Sequence, residues 1–73
     1  MKIPMNKVTR NEIDHRKAGE IVRKSRESAK LSLRELARRL LLSAPYMSDL
    51  ELGRRNWSPE LFDLSLKEIN RKP

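Results

Sequence analysis

"LSLRELARRLLLSAPYMSDLELGRR", residues 31–55, holds two apolar periods separated by a short break. In the first, Leu33, Leu36, Ala37 and Leu40 fall at i, i+3, i+4 and i+7, the buried stripe of a helix. Arg34, Arg38 and Arg39 are expected to point away from that stripe. Ser32 stands where an N-cap belongs, and Glu35, three residues on, completes the spacing of a capping box. In the second period Ser43 can cap again, and Pro45 fits a first turn whose N–H groups have no intrahelical partner. Met47 and Leu50 form the inner face, and Gly53 can end the helix with a positive φ. The two helices are joined by about three residues, the spacing of a helix-turn-helix, which places that unit at about residues 33–52.

Working outward, "TRNE" offers Thr9 as an N-cap with Glu12 three residues later, so a first helix is predicted from about Arg10 to Ala29. Its apolar stripe is thin: Ala18, Ile21, Val22 and Ala29, interrupted at Ser25. Downstream, "RRNW" reads as a loop, and Ser58 followed by Pro59 is an N-cap with an N1 proline. Leu61, Phe62, Leu64 and Ile69 carry a last helix to about Asn70. Residues 1–8, "MKIPMNKV", have no sustained period and read as an arm, leaving 9–73 as one domain. The expected fold is all-α, a compact bundle of four, or five, short helices.

The bulk numbers agree with a small helical domain. The chain has 73 residues, no cysteine and one histidine, His15, so no disulfide or zinc site can staple it. Its core must be packed aliphatics. No apolar run reaches the length of a membrane span or signal sequence, which gives a cytosolic expectation. There is no Ser-His-Asp set, no Gly-rich phosphate loop and no cluster of metal ligands. His15 beside Asp14 reads as a chance pairing. The expectation is therefore a non-enzyme with no cofactor and no metal. The first helix is too polar to suggest a membrane-surface role.

Charge points elsewhere. The chain is formally +7 with a pI near 10.4, which fits a polyanionic partner or a solvated helix face. The excess is uneven: residues 1–30 hold nine bases against four acids, while residues 58–73 are balanced at three each.

The stretch quoted above resembles the helix-turn-helix of the lambda-repressor-like, Cro/CI-type (XRE) DNA-binding domains. The matching features are Leu36-Ala37 on the first helix of the pair, Leu40 and Leu42 around the turn, Met47 and Leu50 on the second, and Glu51-x-Gly53 followed by bases. The resemblance covers about residues 18–66. It implies a structural ion pair between Arg26 and Glu51, whose positions match an arginine of helix one and the glutamate before that glycine. Three departures stand out. Leu41 occupies a turn position that is often glycine; a left-handed leucine costs about 1 kcal/mol or more, so a differently built turn or a slightly extended helix is expected. Leu33 replaces a glutamine that touches phosphate. The sequence ends at Pro73 without the fifth helix of many members, which makes Ile3, Met5, Val8 and Ile13 candidates to close the core.

The resemblance implies a bacterial or phage transcription regulator of the cytosol or nucleoid that binds a double-stranded DNA operator, with a homodimer as a further option. A helix-turn-helix lays its second helix in the major groove, N-terminal residues nearest the base edges. The candidate base readers are Ala44, Pro45, Tyr46, Ser48 and Asp49. Ala44 and Pro45 either meet a thymine methyl or simply begin the helix. Tyr46 either donates to a phosphate or packs over the preceding helix. Ser48 can bond a base edge. Asp49 either accepts from cytosine N4 or makes a local ion pair with Arg54 or Arg55. The candidate phosphate contacts are Ser43, Arg34, Arg38, Arg54, Arg55 and Asn56. Trp57 reads as a plug between helices. The competing reading is a protein-interaction module, antitoxin-like or an adaptor, that keeps this fold for a protein partner.

Overall fold

Serine hydroxyls start three helices. Ser32 Oγ accepts from Glu35 N at 3.0 Å, Ser43 Oγ from Tyr46 N at 3.2 Å, and Ser58 Oγ from Leu61 N at 3.0 Å. Each satisfies an N–H group that the first helical turn leaves without a partner. In this computed structural model, which describes residues 13–71, they open α2 (Leu33–Arg39), α3 (Ala44–Glu51) and α4 (Pro59–Asn70). The helix before them, α1, spans His15–Ser28. No strand occurs among the described residues.

The start of α1 differs from the sequence expectation. Asp14, not Thr9, is its N-cap: the backbone there is extended, and the Asp14 carboxylate accepts from Arg16 N and Lys17 N, both at 3.1 Å. The Thr9–Glu12 pair, the arm at 1–8 and the apolar residues Ile3, Met5 and Val8 lie outside the described residues. The expected capping box at α2 is also only half made. Ser32 caps, but the Glu35 carboxylate turns along the helix to Arg38 and Arg39.

Helices α1 and α2 each pack on α3 and α4. The fully buried side chains Val22, Leu36, Met47 and Leu50 come from α1, α2 and α3, with Ser65 added from α4. Ala18, Ala37, Leu40, Trp57 and Ile69 complete the core. Trp57 closes it from the α3–α4 loop: its indole N–H donates to Leu50 O at 3.0 Å, and its ring meets Phe62 edge-on at 5.9 Å. Ile21 and Leu64, expected inside, are 40% and 45% exposed, and Ala29 is exposed beyond the end of α1.

Helices α1, α2 and α3 end in the same way. The residue just past the cap is left-handed, with φ of 58° at Lys30, 61° at Leu41 and 79° at Gly53. In each, two N–H groups fold back on the last turn. Leu42 N donates to Ala37 O at 2.8 Å and Leu41 N to Arg38 O at 3.1 Å; Arg54 N donates to Asp49 O at 2.8 Å and Gly53 N to Leu50 O at 3.2 Å. Leu31 N and Lys30 N do likewise to Arg26 O and Glu27 O, both at 3.0 Å. This is the Schellman arrangement, which satisfies orphan carbonyls. Leu41 thus adopts the strained left-handed conformation, in place of the differently built turn or extended helix expected from the sequence. The compensation lies one residue on: Leu31 and Leu42 tuck against the core, and burying a leucine gains about 1.5–3 kcal/mol, more than the roughly 1 kcal/mol of a left-handed residue. Leu41 itself is 92% exposed.

Gly19 sets the distance between α1 and α3. A Cβ there would lie 2.5 Å from Glu51 O and closer still to Leu50 O. Only a residue without a side chain lets α1 rest on the last carbonyls of α3.

Candidate nucleic-acid interface

The exposed side of α3 is short. Met47, Leu50 and Glu51 are buried, Pro45 is exposed, and Ala44, Tyr46, Ser48 and Asp49 are half-buried at the edges. Leu52, just past the helix, is also exposed. Ser43 Oγ, as the cap, is already engaged by Tyr46 N, yet Ser43 itself remains exposed.

Two acids occupy the last turn of α3 with no base among them, against the helix dipole, which disfavours negative charge at a C-terminus. Both are met by arginines from outside the helix. Glu51 is buried, and Arg26 of α1 grips it with two bonds, Nε to Oε2 at 2.8 Å and Nη2 to Oε1 at 3.0 Å. Arg26 Nη1 also donates to Leu31 O at 2.9 Å, so one guanidinium ties α1, α3 and the α1–α2 turn together. The hydrogen-bonded carboxylate raises the Arg26 pKa further above its ordinary value, partly opposed by burial.

Asp49 lies two residues earlier and meets Arg54 and Arg55 loosely, each at 3.7 Å. The Arg55 guanidinium also lies 5.2 Å from the centre of the Tyr46 ring, within range of a cation–π contact. Tyr46 packs against the core, so its ring serves as a floor for Arg55. The structure therefore gathers Tyr46, Asp49, Arg54 and Arg55 into one cluster. The Schellman turn at Gly53 makes this possible, because it returns the Arg54 backbone onto Asp49 O. Gly53 is needed for space as well as for φ: a Cβ there would come within 2.6 Å of Arg16 Cγ.

The other phosphate candidates stand apart. Arg34 is exposed on α2, and no ion pair joins it to a described residue. Arg38 is well exposed but bound to Glu35. Bonding to Arg38 first, and to Arg39 next, lowers the Glu35 carboxyl pKa to about 2. Arg39 does not point away as expected. It is largely covered and donates through Nη1 to Glu68 O at 3.0 Å, bridging α2 to α4. Asn56 is exposed in the loop.

Two residues escaped the sequence reading. Arg16, exposed in the first turn of α1, lies with its Cα–Cγ stem against Gly53, the residue that precedes Arg54 and Arg55. His15 is not idle: its Nδ1 accepts from Trp57 N at 2.8 Å, fixing the loop that carries the arginines to the start of α1. No local pattern could reveal either contact, because each joins segments far apart in the chain. Among the described residues no group of acids and histidines could hold a metal, and no helix is long and apolar enough to cross a membrane.

A family model described as a helix-turn-helix domain matches residues 18–64. That span holds most of α1, all of α2 and α3, and the first half of α4. Neither a curated protein nor a solved structure matches the chain.

Proposed function

Because the chain belongs to the helix-turn-helix domain family, of the Cro/CI (XRE) type, we propose that it is a sequence-specific double-stranded DNA-binding regulator of transcription. In this reading α3 enters the major groove and presents Ala44, Pro45, Tyr46, Ser48 and Asp49 to base edges. Arg54 and Arg55 engage the phosphates beside it, with Ser43, Arg34, Arg38, Asn56 and Arg16 as further backbone contacts. One observation carries the proposal: a nearly neutral helix face with two exposed arginines held directly behind it by the turn at Gly53. The neutral face can discriminate among bases while the charge supplies affinity, the usual division of labour on DNA.

Salt tests this directly. Each neutralised phosphate adds about 0.9 to the slope of log affinity against log salt. With four to six contacts, binding to duplex should weaken by roughly two orders of magnitude or more between about 50 and 200 mM salt. Arg54→Ala with Arg55→Ala should flatten that slope by about two while leaving the fold intact. Duplex binding that ignores salt and this double substitution would defeat the proposal. A protein partner retained at high salt, with only nonspecific DNA binding, would support the interaction-module reading instead.

A further inference from the structure

The position of Asp49 runs against local physics. Aspartate is a poor helix former, it stands in the last turn where the helix dipole repels it, and it lies on the side of α3 expected to approach a polyanion. Yet it is not buried for structural use as Glu51 is, and its two arginine contacts are long, at 3.7 Å each. Residues that break a local rule without a structural return are candidates for function.

We infer, resting on the DNA-binding reading above, that Asp49 is a specificity-determining residue that works by partner exchange. In the free protein its carboxylate holds Arg54 and Arg55. On duplex DNA, phosphates compete for those two guanidiniums, and the carboxylate is left facing the groove. A groove that offers no donor leaves an unpaired acid near phosphates, which repels the duplex. A cytosine N4 amino group opposite Asp49 supplies the missing donor, so the arginines move to phosphate without stranding the acid. Asp49 thus lowers affinity for DNA in general and spares sites with a C·G pair at one position. Arg55 can make the move with little rearrangement, since the Tyr46 ring, not Asp49 alone, supports its guanidinium.

The test compares wild type with Asp49→Asn, which keeps the shape and removes the charge. Affinity is measured on a random-sequence duplex and on a selected high-affinity duplex with each base pair varied in turn. Asp49→Asn is expected to bind the random duplex about three- to tenfold more tightly, the gain of freeing two exposed arginine pairs. Discrimination is read in Asp49→Ala, which removes the acceptor as well as the charge and should lose about tenfold or more at one C·G position, since the asparagine amide oxygen can still accept from cytosine N4. In an Arg54→Ala/Arg55→Ala background the random-duplex gain should shrink to what relief of the repulsion between Asp49 and phosphate alone provides, because the exchange has lost its second partner. Circular dichroism and thermal midpoint establish that each variant is folded. Wild-type binding with no gain in Asp49→Asn, or an equal gain in both backgrounds, overturns the inference and leaves the DNA-binding reading standing. Failure of wild type to bind any duplex at low salt overturns both.

Discussion

Glu51 and Asp49 stand two residues apart on α3, and both meet arginine. Glu51 is 6% exposed and held by two short bonds to Arg26 across the helix interface. Asp49 keeps a third of its side chain in solvent and reaches Arg54 and Arg55 only at 3.7 Å. One pair joins α1 to α3; the other joins α3 to the loop that follows it. The contrast shows how one helix can use the same chemistry for two ends. A desolvated, bidentate pair fixes geometry, because losing one partner strands a buried charge. A loose, solvated pair adds little to stability, which leaves its members available for another partner.

Substitutions can break this contrast in a graded order. Glu51→Ala should be the most damaging, costing about 3–5 kcal/mol in urea or thermal unfolding because Arg26 is left unpaired at the α1–α3 contact. Arg26→Met combined with Glu51→Leu should recover most of that loss. A cost below about 1 kcal/mol for Glu51→Ala would mean that the two acids are not so different after all.

Gly19→Ala probes the backbone side of the same contact. In an open helix this change gains about 1 kcal/mol; here the added methyl meets the Leu50 and Glu51 carbonyls. A net loss of about 1–3 kcal/mol is expected, and a gain would show that α1 and α3 are not in contact at this point. Leu41→Gly should act in the opposite direction. It relieves a left-handed leucine whose side chain is almost wholly exposed, but glycine gives the unfolded chain more freedom, so the net gain should be about 0.5 kcal/mol. The smallest change in stability belongs to Asp49→Asn, within about 0.5 kcal/mol either way. That near-silence, set beside the loss in Glu51→Ala, would separate the acid that builds the fold from the acid that serves its surface.

Much of the fold is written locally. Ser32, Ser43 and Ser58 mark helix starts because a hydroxyl at an N-cap acts within three residues, and the leucine spacing of α2 marks a buried face within two turns. Pro59 and Gly53 mark ends and beginnings for equally local reasons. The features that escaped depend on distant partners. Lys30 and Leu41 adopt left-handed backbone because the leucines after them reach the core, not because their own side chains favour it. Gly19 is small because another helix's carbonyls lie against it. Asp14 takes the cap expected at Thr9, since an N-cap is chosen by where the helix can pack as well as by side-chain chemistry. For the interface, the residue types were legible, but the cluster of Tyr46, Asp49, Arg54 and Arg55 required the turn at Gly53 to be drawn in three dimensions. Arg39, whose place on α2 predicts solvent, is instead claimed by α4 through Glu68 O.

The central claim is that the exposed face of α3 reads base sequence. It is tested most directly by selecting bound duplexes from a randomised pool, once with wild type and once with Ser48→Ala/Asp49→Ala. Wild type should enrich a defined site, and the double variant, folded and still binding DNA through its arginines, should lose or change the preference at one or two positions within it. Enrichment of the same site with the same strength by both proteins, or of no site by wild type, would contradict the claim.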